Sequence, residues 1–410
     1  MPNTAFHLTK IDNGIRVLYL KANIPITYCG LAINAGTRDE REDEHGIAHL
    51  IEHMMFKGTE KRNSMQVISR LEDIGGELNA YTTKEETFVY SIVPKEHTER
   101  AVELLSDIVF NSTFPERQLK KERKVVLEEI DMYQDSPSEQ IYDDFEDMIF
   151  AGSSLGHNIL GSKKSLLAIS SDKCREFVRR CYTTDNILFF IYGNLAENEV
   201  IKLAQKHLSV DKTTRDFLRS CPIIYKPQKV LTDKDTNQVH CLIGNKTLSL
   251  KSKDVAALNL LNNILGGANL TSRLNLAVRE RYGWVYSIES SLSLYSDIGV
   301  WGVYFGCSND KYNKCLSLVN SELQRLCQMR ISDKQLDMYR QQMKGQLLIQ
   351  TQNAENYLLA MAKQALHNDR VGSLKNIFNS IDRVSAEDIQ RLSQQLFDIN
   401  QTTSLTYLTE

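Results

Sequence analysis

The sequence predicts an α+β fold built as two homologous units, and three observations carry that reading. A series of strands and long helices in the first half recurs in the same order in the second. Shifting the 410-residue chain by 210 places lays His49-Leu50-Ile51-Glu52-His53 over Asn259-Leu260-Leu261-Asn262-Asn263, so the apolar positions stay apolar while the chemical ones become asparagine. Arg70-Leu71-Glu72-Asp73-Ile74-Gly75 likewise resembles Val278-Arg279-Glu280-Arg281-Tyr282-Gly283. A polar linker over 210–228 separates the halves, giving expected domains of 1–215, carrying the chemistry, and 225–410, a degenerate copy.

Each element has a local reason. Turn residues Asp12-Asn13-Gly14 and Asn23-Ile24-Pro25 precede apolar strands over 15–20 and 26–35. A helix is expected over 44–57 and another over 65–74, the latter stopped by Gly75-Gly76. Alternation over 78–93 predicts strand, closed by Pro94. Helices fill 98–181, with breaks near Pro115, Pro137 and Gly152, and 186–192 is an apolar strand ended by Gly193-Asn194. In the second half, 238–244 is a strand, 254–265 and 271–281 are helices, and 285–305 is a strand pair after Gly283. Helices then run over 311–397 and a last strand over 403–408.

Composition narrows the function classes. A net charge of −3 gives no general attraction for nucleic acid or anionic membrane. No run of eighteen apolar residues is present, so no membrane-spanning helix is expected, and the N-terminus lacks the pattern of a secretory signal. The eight cysteines form no CxxC pair and read as reduced, buried thiols, which suits a cytoplasmic location.

His49 and His53 are four residues apart, so on a helix they stand one turn above each other and can share a cation. At roughly 100° per residue, Ile47, Leu50, Ile51, Met54 and Met55 share one face, while His49, Glu52 and His53 occupy the opposite one. Two neutral imidazoles suit zinc, which takes nitrogen donors and a carboxylate and, where it hydrolyses, keeps one position for water. Candidates for the third ligand lie on the helix containing Glu122, Val126, Glu129 and Tyr133 on one face, with Glu128 pointing elsewhere. Glu122 and Glu129 are about 10 Å apart along a helix axis, so on this reading one would bind the ion and the other orient a histidine from outside, the alternative being a charged, solvated helix. His7, His97, His157, His207, His240 and His367 read as surface or core residues, and His45 as a solvated or helix-start residue.

The run His49-x-x-Glu52-His53, with Glu129 76 positions beyond His53, resembles the pitrilysin family of inverted zincins, which includes mitochondrial processing peptidase. Gly46 to Thr59 looks like the family signature, and Gly75 to Thr82 like its substrate-binding edge strand. Arg279 and Tyr286 match the family's arginine–tyrosine pair, and Leu265-Gly266-Gly267 the turn before it, with Ala268 in place of a common third glycine. The resemblance implies two α/β sandwich domains of the processing-peptidase type. It implies that His49, His53 and Glu129 hold one Zn²⁺ per chain, with Glu122 in the outer shell and Glu52 as general base. It further implies that Tyr286 stabilises the oxyanion, that Arg279 holds a substrate carbonyl, and that main-chain groups at Asn79 and Ala80 pair with an extended peptide. Family members enclose substrate in a chamber of four such units, so a dimer is implied. A homodimer is favoured over a heterodimer with an inactive paralogue, because this chain carries both the zinc residues and the arginine–tyrosine pair. The expected activity is that of a zinc metalloendopeptidase acting on peptides or unfolded segments.

Two other readings stand beside it. A non-catalytic scaffold subunit would have the fold without the ligands, which are all present here. A presequence-processing enzyme could attract basic peptides through the acidic segment Asp39 to Glu44, although a solvated loop ahead of a helix explains those charges too.

Overall fold

The computed structural model describes residues 6–219, 225–368 and 371–409. The strands are β1 (His7–Lys10), β2 (Arg16–Lys21), β3 (Ile26–Ile33), β4 (Glu77–Thr82), β5 (Thr87–Pro94), β6 (Ile187–Gly193), β7 (Lys229–Lys234), β8 (Val239–Thr247), β9 (Val285–Leu294), β10 (Gly299–Cys307) and β11 (Thr403–Thr409). Helices of the first half are α1 (Ile47–Met55), α2 (Ser64–Glu72), α3 (Thr98–Phe110), α4 (Glu116–Gln134), α5 (Pro137–Ile149), α6 (Lys163–Ala168), α7 (Ser171–Cys181) and α8 (Glu197–His207). Those of the second half are α9 (Val255–Gly266), α10 (Tyr312–Gln328), α11 (Asp333–Gln350), α12 (Ala354–His367), α13 (Leu374–Asp382) and α14 (Ala386–Leu396).

Two compact units form from interleaved segments. The first comprises Met1–Asp131, His157–Ser220 and Gln350–Ser373, and the second Met132–Gly156, Cys221–Ile349 and Leu374–Glu410. The first unit's sheet has the order β1-β2-β6-β3-β5-β4, and the second's β7-β11-β8-β10-β9. Omitting β1, the two orders match strand for strand. In both, one parallel pair (β2 with β6, β7 with β11) is followed by antiparallel neighbours only. The duplication is therefore one of topology as well as of sequence pattern.

Each unit borrows a helix from the other half of the sequence. In the second unit Val239, Cys241 and Ile243 of β8 face a core shared with α9, α10 and α14. Leu242, between them, faces the other way, onto Ile141, Phe145 and Ile149 of α5. In the first unit α12 lies against β3 and β6, tied by Arg16 Nη1 donating to the Ala365 carbonyl at 2.9 Å and Tyr90 to Glu355 at 2.7 Å. Covering both faces explains why β6, Ile-Leu-Phe-Phe-Ile-Tyr-Gly, is buried throughout instead of alternating.

Several expectations are corrected. The helix expected over 44–57 is confined to Ile47–Met55, because Gly46 takes a left-handed φ of 90° just before it. There a β-carbon would lie 2.6 Å from the Leu160 carbonyl oxygen, so the chain enters α1 through a turn that only glycine fits. The helix expected over 271–281 includes a π-helical turn at Asn275–Glu280. β1 and β7 were not expected: both are edge strands with mostly exposed residues, and so carry no apolar alternation to read. The polar stretch 210–219 is not free chain. Arg219 Nη2 reaches Asp39 Oδ2 at 2.7 Å, and Arg215 bonds the other carboxylate oxygen of Asp39. The segment Asp39 to Glu44 is a solvated loop only in part, with Arg41, Glu42 and Asp43 exposed. Asp39, Glu40 and Glu44 are buried, and Glu44 pairs with Arg180 at 2.6 Å.

Among the described residues, seven cysteines are free and six of them buried, while Cys221 lies outside the described residues. No helix among the described residues is long and apolar enough to cross a membrane.

Candidate metal centre

The apolar stripe of α1 seats the helix: Ile47, Leu50, Ile51, Met54 and Met55 are all fully buried. Burying five such side chains is worth about 1.5–3 kcal/mol each, which fixes the helix rotation and turns His49, Glu52 and His53 the other way. The N-terminus of α1 is held by a carboxylate from outside the helix. Glu40 accepts hydrogen bonds from the Gly46 and Ala48 amides, both at 2.9 Å, and lies 2.8 Å from His157 Nε2. Burial pushes the Glu40 pKa up to about 8, against the two amide bonds that favour its charge.

The long helix α4 brings its carboxylates to the same place. Glu129 Oε2 lies 3.8 Å from His49 Nε2 and 3.8 Å from His53 Nε2. One atom from each of the three side chains lies within 4.8 Å of the other two. Two turns earlier on α4, Glu122 Oε2 sits 3.4 Å from the other nitrogen of the same ring, His53 Nδ1. The two glutamates, too far apart along α4 to meet at one ion, are thus joined through the width of one imidazole. Glu128 is exposed.

The residues fit a zinc ion. Four-coordinate zinc with bonds of about 2.0–2.2 Å separates neighbouring donors by about 3.4 Å, so the observed 3.8 Å spacings need only a slight contraction. His49 Nδ1 is buried without a hydrogen-bond partner, and burial, then His53, pushes the His49 pKa down to about 3. The ring is a neutral imidazole with a lone pair to give. Burial raises the Glu129 pKa, with His53 opposing.

Glu52 lies beside this cluster, its Oε2 buried and unpartnered. Burial raises its pKa, Thr82 and His53 lower it, and Glu129 raises it further. The Thr82 hydroxyl, at the end of β4, is itself buried without a bond of proper geometry. A carboxyl so placed has an open site for a proton.

β4 runs beside α1 and is the last strand of its sheet, pairing only with β5 among the described residues. Asn79 and Ala80 lie half-buried in it, so the strand presents backbone groups along a free edge. Arg279 and Tyr286 belong to the second unit. Arg279 lies in the π-helical turn and makes no side-chain hydrogen bond or ion pair among the described residues, while Tyr286, in β9, is 87% exposed. In this unit the counterpart of the metal helix is sealed. Asn262, aligned with Glu52, donates to the Ser290 carbonyl at 3.0 Å and accepts from the Ser290 hydroxyl at 2.6 Å.

Sequence reasoning passed over three contributors: Glu40, Thr82 and Lys57. Lys57 Nζ lies 3.0 Å from Glu122 Oε1, and its position four residues after His53 was the signal available for it. A second cluster, Glu85, Glu86 and His367, is occupied by contacts within the protein instead. Arg38 lies 2.6 Å from Glu85, and Lys363 and His367 lie 3.1 and 2.5 Å from Glu86. Burial alone would raise the Glu86 pKa, but the His367 bond and Lys363 hold it at about 2.

Comparison with known proteins places these features in a family. Residues 16–163 match the family model described as Insulinase (Peptidase family M16), and residues 168–343 match that of the Peptidase M16 inactive domain. The chain is 32% identical over 387 residues to the uncharacterised zinc protease YmxG of Bacillus subtilis (strain 168), covering 94% of each chain. It is 29% identical over 411 residues to an uncharacterised zinc protease of Rickettsia bellii (strain RML369-C), covering 98% of this chain and 97% of that one. Among solved structures, a peptidase M16 inactive domain from Pseudomonas fluorescens superposes with a TM-score of 0.91 at 18% identity, over 98% of this chain and 97% of that one. A protease from Helicobacter pylori gives 0.90 at 18%, over 98% and 99%. These two establish the shared fold.

Proposed function

We propose that this chain, which belongs to peptidase family M16, is a zinc-dependent endopeptidase that cuts peptides or unfolded polypeptide segments. The observation that carries the reading is the convergence of His49 Nε2, His53 Nε2 and Glu129 Oε2 beside Glu52, whose Oε2 is buried with no hydrogen-bond partner among the described residues. Zinc bound there, one per chain, would supply a Lewis acid for the scissile carbonyl and a water whose pKa is lowered toward about 7.

The protein's own groups do the rest. Glu52 takes the proton of the attacking water and delivers it to the leaving nitrogen, a task its burial-raised pKa suits. The peptide lies along the free edge of β4 as an added strand, with backbone groups of Asn79 and Ala80 fixing its register. Tyr286 stabilises the oxyanion by donating a hydrogen bond from its phenolic hydroxyl, and Arg279 holds a neighbouring carbonyl. Both come from the second copy in a homodimer, whose four units enclose the substrate and exclude folded proteins. The exposure of Tyr286, and the lack of a side-chain partner for Arg279 among the described residues, support that role. A preference for basic presequences gains little from the segment Asp39 to Glu44, because three of its five carboxylates are buried and Asp43 pairs with Lys173.

The test is cleavage of an unstructured peptide by purified protein. Activity should vanish in a chelator and return with one equivalent of zinc. A zinc-loaded protein that cuts no flexible peptide would leave the fold standing and remove the activity.

A further inference from the structure

We propose that Lys57 is a positioning residue for the metal centre, holding Glu122 so that this carboxylate fixes the ring of His53. The inference rests on the zinc-peptidase reading above and goes beyond it. α1 ends at Met55, with Phe56 as its C-cap, and Lys57 follows where a cation is favoured by the exposed carbonyls of the helix end. Its ammonium lies 3.0 Å from Glu122 Oε1, while Glu122 Oε2 lies 3.4 Å from His53 Nδ1. One carboxylate is therefore gripped at both oxygens, by a cation on one side and the imidazole on the other.

The grip matters because a carboxylate held at only one oxygen can rotate about its last bond. Glu122 is buried, and with Lys57 removed its Oε1 would have lost its ion-pair partner. The carboxylate would turn or take up water, and the His53 ring would lose the partner that aims Nε2 at Glu129. Arg62, the other cation close by in sequence, is committed to Glu103 and Asp107. Lys57 also lines a cavity of about 480 Å³ with Lys61, Arg62 and Arg117.

The experiment measures zinc affinity by competition with a chromophoric chelator, alongside thermal unfolding of the metal-free proteins. Lys57→Met should weaken zinc binding by about 10–100-fold, the range for loss of an outer partner, while Lys57→Arg stays within a few-fold of wild type. Glu122→Gln should show a similar loss, and the double variant should bind no more weakly than the poorer single one, because the lysine acts through the glutamate. If Lys57→Met does not fold, Lys57→Gln takes its place in the same cycle. Unchanged affinity in the lysine variants, or losses that multiply in the double variant, would overturn the inference. A wild-type protein that takes up no zinc at all would instead sink the peptidase reading on which it rests.

Discussion

Replacing Glu52 by glutamine removes a proton acceptor while keeping size and shape. Glu52 lies beside the three donor atoms but is not one of them, so the variant should bind as much zinc as wild type. The lost general base is worth about 10²–10⁴ in rate, or about 2.7–5.4 kcal/mol of barrier at 1.36 kcal/mol per tenfold. Stability should move the other way. The folded-state pKa of Glu52 is raised, mainly by burial, so ionising it is harder in the fold than in the unfolded chain. That penalty is absent below the ordinary carboxylate pKa and grows as pH rises through it toward the folded value. Glutamine carries no charge at any pH, so metal-free Glu52→Gln should match or exceed wild type in melting temperature at pH 8, with the gap closing toward pH 4. The assay is kcat/KM on a fluorogenic flexible peptide, with zinc content and melting curves on the same samples. Activity within tenfold of wild type at equal zinc content would refute the assignment of Glu52. Loss of zinc from the variant would make Glu52 a ligand and refute it in another way.

Other consequences follow from particular contacts. If Tyr286 serves the metal centre of a second copy, Glu52→Gln and Tyr286→Phe homodimers, each inactive, should recover activity when mixed and allowed to exchange subunits; no recovery would place the tyrosine in its own chain's site or outside catalysis. Arg62→Ala breaks a two-oxygen pair with Glu103, 2.8 Å to each, and leaves the buried Asp107 without its cation, held by Thr59 and Asn111, so unfolding free energy should fall by about 3–5 kcal/mol in a denaturant titration. A change under 1 kcal/mol would contradict that account. Cys29, Cys174, Cys181 and Cys241 are buried with thiol pKa values pushed up to about 12, mainly by desolvation, so native protein should resist alkylation at these four until unfolded. Peptide mass spectrometry showing rapid native labelling there would overturn it.

Much of the first unit's metal-bearing helix was legible because it is a one-dimensional problem. Apolar spacing in α1 fixes which side is buried, and a histidine pair four apart then has one direction to point. The face shared by Glu122, Val126 and Glu129 could be drawn from periodicity in the same way. What spacing could not say is that one ring, His53, would stand between the two carboxylates, since that depends on how α1 and α4 cross. The duplication showed in a pattern of apolar positions, and the matched strand orders carry it further than any residue alignment could. The exchange of α5 and α12 between the units left no trace in local pattern: an amphipathic helix reads the same whichever sheet it covers. The acidic segment misled for a related reason. Asp39, Glu40 and Glu44 look solvated until Arg215, Arg219, Arg180 and the amides of α1 are brought to them from distant positions. Buried charge is compatible with a sequence only through its partners, and those partners are long-range.

The claim beneath all of this is that two imidazoles and one glutamate side chain hold one divalent ion. X-ray absorption at the zinc edge of the stoichiometrically loaded protein measures that shell directly. The expected spectrum shows two imidazole nitrogens and carboxylate or water oxygens at about 2.0–2.2 Å, with the occupied fraction falling in Glu129→Ala. Sulfur scatterers at about 2.3 Å, or an identical spectrum and occupancy in that variant, would contradict it.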